Sequence, residues 1–135
     1  MSELEETFAG QLRMLFMDRG WDQEAIAREY QFCEERNWRA DFAIDGWFAR
    51  YYADPRAEDV RPHILIEIEG LKKGQKSRHT EKDGYTNDSY KYSAASALGY
   101  TVLRGTGAMV HDGTLLMMTE QVLTGELNIE DWKAT

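Results

Sequence analysis

Hydrophobic residues recur at a helical spacing near the start of the chain. The residues of this apolar stripe are Leu4, Phe8, Leu12, Leu15 and Phe16. Such a stripe predicts a helix from about Glu3 to Arg19 with one face in the core. Ser2 and Glu5 have the spacing of a capping box at its start, and Gly20 suits its end.

Two further helices are predicted in the second half of the chain. One covers about Gly84–Leu98, is rich in alanine towards its end and is closed by Gly99. The other covers Thr114–Thr124 and is closed by Gly125. Its inward-facing residues are Leu115, Met118, Val122 and Leu123.

Apolar and polar residues alternate with a period of two in the segments between these helices, which indicates strands. The predicted strands are Glu29–Cys33, Trp38–Ile44, His63–Glu69 and Tyr100–Arg104. A short turn or helix is expected near Asp22–Ala27, and a hairpin extension or short helix in the aromatic residues 45–61. The order of elements predicts a mixed α/β (α+β) domain in which helices flank a small central mixed sheet.

Three carboxylates stand within two of these strands. Alternation places Asp41 on the face opposite Trp38, Ala40, Phe42 and Ile44. It makes Glu67 and Glu69 project together, roughly 7 Å apart, from the other strand. Acids are costly to bury unless they are paired, protonated or bound to a cation. Three of them on adjacent strands therefore predict a pocket for Mg²⁺ or Mn²⁺, which prefer oxygen ligands.

Composition and charge fit one globular domain, residues 1–135, with a basic region beside the acids. The chain is 42% hydrophobic and 30% charged, and its net charge of −8 argues at first against a nucleic-acid partner. Residues 70–104, however, carry seven basic and three acidic side chains. This window can face a phosphate backbone, although a solvated loop at Lys72–Lys82 is an equally good reading of the charge cluster.

The start of the sequence and its single cysteine bear on compartment. The first residues are acidic and do not have the basic and apolar regions of a signal peptide, and no apolar run is long enough to span a bilayer. Cys33 alone cannot form an intramolecular disulfide. We therefore expect a cytoplasmic protein with no membrane partner.

Five short motifs follow one another along the chain: residues 38–43 (WRADFA), 67–70 (EIEG), 78–80 (RHT), 84–95 (GYTNDSYKYSAA) and 98–104 (LGYTVLR). In this order they resemble the motifs of small phage and prophage nucleases of the PD-(D/E)xK superfamily. The resemblance runs from the first helix to the last strand. It implies a restriction-endonuclease-like core, in which a helix packs beside a sheet whose strands carry the metal ligands. It also implies a bacterial host cell if the protein is phage-encoded.

The resemblance assigns roles to the carboxylates. Asp41 would be the bridging metal ligand and Glu67 the second carboxylate ligand, with the Ile68 carbonyl completing the shell. Glu69 occupies the position where the superfamily usually has lysine. This departure leaves open how the attacking water is activated.

Two answers are open for water activation. Glu69 could act as the general base or hold a second metal. Alternatively, the lysine has moved to the following helix, where Lys91 shares a face with Gly84, Asp88, Ala95 and Leu98. We favour both together, because a Glu69–Lys91 pair would neutralise the extra acid.

The superfamily often has a glutamate on the first helix. Glu5 and Glu6 are the candidates, and because they lie roughly 100° apart around a helix, at most one faces the site. We expect it to be Glu6, as a further catalytic residue.

These observations predict a Mg²⁺-dependent DNA endonuclease that is structure-selective or weakly sequence-specific. The expected DNA contacts are Lys72, Lys73, Lys76, Arg78, His79, Lys82 and Arg104. Cutting two strands is simplest with two sites, so we expect a homodimer. The alternative is an inactive nuclease fold that binds nucleic acid or a protein partner. His63 and His111 have no such context and are expected to be structural.

Overall fold

The computed structural model describes residues 2–45, 63–70 and 78–133, with only the backbone of residues 78–83 and 85. The feature predicted within residues 45–61 and the basic residues Lys72, Lys73 and Lys76 fall outside this description, apart from the strand end at Asp45. Within the described ranges, no helix combines the length and the apolar character that crossing a membrane requires.

The described part of the chain has four α-helices and four strands, which in order are α1 (Glu3–Arg19), β1 (Ile26–Gln31), β2 (Arg39–Asp45), β3 (His63–Glu69), α2 (Arg78–Ala97), β4 (Tyr100–Thr106), α3 (Gly107–His111) and α4 (Thr114–Thr124). It also has two 3-10 helices, Ile129–Asp131 and Gln23–Ala25, and the second confirms the short turn or helix predicted near Asp22–Ala27. The bounds of α1, β3 and α4 confirm the predictions. The capping box at Ser2 is present, and Gly20 ends α1 with a φ of 68°, in the left-handed region that favours glycine.

Other bounds differ from the prediction. The first strand is Ile26–Gln31 rather than Glu29–Cys33, since antiparallel pairing with β2 sets its limits. The second helix begins at Arg78 rather than Gly84, so the backbone of Arg78, His79 and Lys82 is helical instead of lying in a loop. The short helix α3 was not predicted, because five residues give no periodic pattern.

The four strands form one mixed sheet in the order β1-β2-β3-β4. The β1–β2 and β2–β3 pairs are antiparallel, and β4 runs parallel to β3. A parallel neighbour needs a crossover connection, and α2 lies in that connection. The predicted mixed α/β class is therefore confirmed: helices pack against a four-stranded mixed sheet.

The sheet separates two hydrophobic clusters. The larger cluster packs α1 and α4 against Phe42, Ile44, Ile64 and Ile66. The smaller one joins Ala40, Ala43 and Leu65 to Ala95 of α2. Ala40 was predicted to share a face with Phe42, but it lies in the smaller cluster with Ala43. The alternation of β2 is thus interrupted between Ala40 and Phe42, at Asp41.

Strand β1, which lies beside β2, is distorted opposite Asp41. The register pairs Arg28 with Phe42 and Tyr30 with Ala40, so Glu29 lies opposite Asp41. Glu29 has a φ of 51°, a left-handed conformation that non-glycine residues adopt at a cost. The irregular part of the sheet is therefore the part that carries these two acids.

Candidate functional site

Asp41 is joined directly to β3. The ladder between β2 and β3 runs from Asp45 opposite His63 to Phe42 opposite Ile66. Next along β2, the Asp41 carboxylate accepts a hydrogen bond of 2.8 Å from the Ile68 backbone N–H. The carboxylate is thereby held at the backbone between the two glutamates of β3.

The environment of Asp41 disfavours its charge. Burial raises the pKa of the Asp41 carboxyl above its ordinary value, and the nearby Glu5 carboxylate raises it further. The hydrogen bond from Ile68 and the Lys91 ammonium act in the opposite direction. Acids with perturbed pKa values are concentrated at functional sites, so Asp41 is a candidate functional residue.

Glu67 is paired with Lys91 of α2. Lys91 Nζ lies 2.7 Å from Glu67 Oε1, and the two side chains are only 16% and 13% exposed. Burial is the main cause of the raised pKa of Glu67, and Lys91 counteracts it. Lys91 therefore reaches the site from α2 as predicted, but the expected Glu69–Lys91 pair is wrong. The ammonium meets the more buried carboxylate instead.

Glu69 is paired with Arg104 of β4. The parallel register places Arg104 opposite Glu67, two residues before Glu69, and its guanidinium donates from two nitrogens to Glu69 Oε1. Both side chains are about half exposed. Arg104, which was predicted as a DNA contact, thus lies within the carboxylate cluster.

The acid that α1 brings to Asp41 is Glu5, not Glu6 as expected. Ligand oxygens of Glu5, Glu29 and Asp41 all lie within 4.8 Å of one another. Glu6 instead bonds to Arg28 at 3.1 Å. The reason is helical geometry: the capping box fixes Glu5 at the first turn, and Glu6 is turned roughly 100° away.

The three oxygens suit a hard divalent cation. Mg²⁺ holds oxygen ligands at about 2.1 Å, so ligands around one ion are at most about 4.2 Å apart, and only a small closure of this group is needed. The group shares Asp41 with the predicted ligand set and adds Glu5 and Glu29. The predicted ligands Glu67, Ile68 and Glu69 stay predictions.

Sequence reasoning missed Glu29 as a member of this group. It stands in a polar stretch, Arg28-Glu29-Tyr30-Gln31, without the apolar flanks that drew attention to Asp41. A glutamate in the left-handed region can be recognised only from the backbone. The register of β1 and β2 places Glu29 opposite Asp41, and recognising this from the sequence required the correct strand bounds.

A test of this strain uses two substitutions that both remove the charge. Glu29→Gly should be more stable than Glu29→Ala by about 1 kcal/mol, because only glycine adopts the left-handed conformation without steric cost. The free energy of unfolding, measured with urea, gives the comparison. Equal stability of the two variants would show that the backbone at this position is unstrained.

A cleft of about 960 Å³ opens onto this group. Its walls come from the start of α1, from Asp41 and Glu29, from the end of β3, and from Gly107 and His111 of α3. His111, expected to be structural, therefore lines the cleft beside the acids. The side chains of Arg78, His79 and Lys82 are outside the description.

Comparisons with protein-family models, with curated proteins and with solved structures gave no match for this chain.

Proposed function

We propose that this chain is a Mg²⁺- or Mn²⁺-dependent DNA endonuclease with a restriction-endonuclease-like core of the PD-(D/E)xK type. One observation carries the proposal: the Asp41 carboxylate is bonded to the backbone next to Glu67, whose own carboxylate is paired with Lys91. An acid from β2, an acid from β3 and a lysine from α2 therefore meet at one end of the sheet. The two acids match the carboxylates that the resemblance implies, and Lys91 would replace the lysine that the superfamily usually has at the position of Glu69.

The carboxylates would hold the divalent ion. Asp41 is common to the group with Glu5 and Glu29 and to the predicted set with Glu67, so it would be the central ligand. A bound Mg²⁺ would lower the pKa of a coordinated water and polarise the scissile phosphate. Lys91 would orient the nucleophile or balance charge in the transition state, as an ammonium close to the reacting groups can.

Phosphate binding beside the carboxylates would fall to the basic side chains. Arg104 lies in the described cluster, and its side chain is about half exposed. The remaining predicted contacts, Lys72, Lys73, Lys76, Arg78, His79 and Lys82, would hold neighbouring phosphates without reading sequence. This supports structure-selective or weakly specific cutting, with a homodimer as the proposed assembly.

A binding module without turnover is the second candidate. The ion pairs Glu67–Lys91 and Glu69–Arg104 already neutralise the charge of two of the acids. These two acids therefore have a cationic partner without a bound metal ion. Glu69 also stands where a catalytic lysine would be expected. A nuclease fold retained for binding nucleic acid or a protein would have these features.

Plasmid nicking separates the two candidates. Supercoiled DNA is incubated with the protein and Mg²⁺, Mn²⁺ or EDTA, and the relaxed and linear products are quantified. An endonuclease should relax the plasmid with either metal and leave it intact in EDTA, since the water and the phosphate are activated only when the ion is bound.

The same assay identifies the alternative. Plasmid that stays supercoiled with both metals, together with calorimetry that detects no metal binding, would favour the module. If nicking is found, a panel of junction, flap, single-stranded and duplex DNA then identifies the preferred substrate.

A further inference from the structure

Two cations of the site share one aromatic ring. The guanidinium carbon of Arg104 lies 4.2 Å from the centroid of the Tyr92 ring, and Lys91 Nζ lies 5.6 Å from the same centroid. Both distances are within the range of cation–π attraction. A half-buried tyrosine of α2 thus holds the cationic groups of α2 and β4 close together.

The ring suits a positioning role. Burial and the Glu67 carboxylate raise the pKa of Tyr92, so its hydroxyl is protonated over the physiological range and the side chain stays neutral. A neutral ring attracts cations through its face without competing with an anion for them. Tyr92 can therefore fix the two cations and leave their charge available.

Arg104 keeps donors for an anion. Its guanidinium bonds to a single carboxylate oxygen of Glu69, whereas an arginine carries five N–H donors in a planar fork. Its side chain is 45% exposed, while that of Lys91 is only 16% exposed. An incoming anion would therefore contact Arg104 first, and the more buried Lys91 ammonium would lie behind Arg104.

We propose that Tyr92 is the positioning residue of a phosphate-binding site in which Arg104 makes the first contact with a phosphodiester oxygen and Lys91 supports it. The inference rests on the proposed function, whose DNA substrate supplies the phosphate. It assigns a role to Tyr92, which lies in the motif of residues 84–95 but was given no role there, and it moves Arg104 from a flanking contact to the carboxylate cluster itself.

Fluorescence anisotropy with a labelled DNA oligonucleotide in EDTA tests this site without cleavage. Tyr92→Leu should weaken binding about fivefold, because a leucine cannot hold the guanidinium by its face, whereas Tyr92→Phe should bind within about twofold of the wild type. Tyr90→Leu is the matched control, since Tyr90 lies on the same helix and is 66% exposed. It should bind as the wild type does.

The salt dependence shows whether Tyr92 acts through Arg104. Arg104→Met should make the dependence of log K on log salt less steep by about one, the value for one lost phosphate contact. Tyr92→Leu added to Arg104→Met should then cause no further loss. A merely structural tyrosine would lower the melting temperature without changing the slope, and the phenylalanine variant would not differ from leucine in binding.

The outcomes keep this inference separate from the proposed function. Wild-type affinity in Tyr92→Leu, additive losses in the double variant, or wild-type protein that binds no oligonucleotide in EDTA would each overturn the phosphate site, even if the plasmid is nicked. Binding with the predicted variant pattern, but without metal-dependent nicking, would support the site and overturn the endonuclease. If Tyr92→Leu does not fold, Arg104→Met alone still decides, since an unchanged salt slope would refute the contact.

Discussion

Asp41→Asn should lower metal-dependent nicking by about a hundredfold to a thousandfold, the range for losing a group that stabilises charge in a transition state. The amide oxygen can still accept the hydrogen bond from the Ile68 N–H, so the strand contact is retained. The negative charge and the second ligand oxygen are lost. Nicking rates and calorimetric titration with Mg²⁺ measure the two consequences.

Asp41→Ala tests whether Asp41 also stabilises the fold, in addition to its role in the site. It removes the acceptor of the Ile68 N–H as well as the ligand, so it should unfold at lower urea, with a loss of about 1–3 kcal/mol. Asp45→Asn is the matched control, because Asp45 lies at the other end of β2, 3.6 Å from His63. Wild-type nicking by Asp41→Asn, or a comparable loss in Asp45→Asn, would contradict the role given to Asp41.

The long, strongly periodic elements could be predicted from the sequence. The helix α1 has both an apolar stripe and a capping box, and β3 has three isoleucines at alternate positions. Local signals of this kind agree with the packing of the whole fold, so they identify the type and the bounds of an element. The proximity of Asp41 to β3 could be predicted by the same reasoning, because acids on adjacent strands lie side by side.

Partner choice within the carboxylate cluster could not be predicted. Alternation put Glu67 and Glu69 on one face, but it does not say which meets the lysine. The parallel register of β4 places Arg104 opposite Glu67, yet the Arg104 guanidinium bonds to Glu69, and Lys91 bonds to Glu67. Register between distant segments depends on the whole sheet, and a single sequence contains no direct record of it.

The break in β2 was also beyond the sequence pattern. Period two predicted one face for Ala40 and Phe42, and the structure divides them between the two clusters. Alanine and phenylalanine fit either face, so their identities do not indicate the change. Glu29, opposite Asp41, has a left-handed backbone conformation, and no residue pattern in the sequence predicts it. Functional clusters are where such local irregularity is expected.

Lys91→Met should destabilise the protein by about 3 kcal/mol at neutral pH, the lower end of the range for breaking a buried ion pair. Lys91 and Glu67 are both largely buried and 2.7 Å apart, so the substitution leaves a buried carboxylate without its cation. Adding Glu67→Gln removes that charge, and the double variant should recover most of the loss. Urea unfolding of the single and double variants gives the coupling between the two residues.

The pH dependence of Lys91→Met gives the same pair an independent test. Burial already raises the pKa of Glu67 above its ordinary value of 4.5, and Lys91 opposes the rise, so removing Lys91 should raise this pKa further. A carboxyl with a higher pKa in the folded state binds more protons there than in the unfolded state. Its stabilising contribution is therefore present at low pH and is lost as pH rises through the folded pKa.

The difference in unfolding free energy between wild type and Lys91→Met should thus be largest at neutral pH and shrink as pH falls towards 4.5. Lys133→Met is the control, because Lys133 is exposed, and it should stay within about 0.5 kcal/mol of the wild type at every pH. A loss in Lys91→Met that does not change with pH would mean that its origin is packing rather than the uncompensated Glu67. In that case the ion pair would no longer support a catalytic role for Lys91.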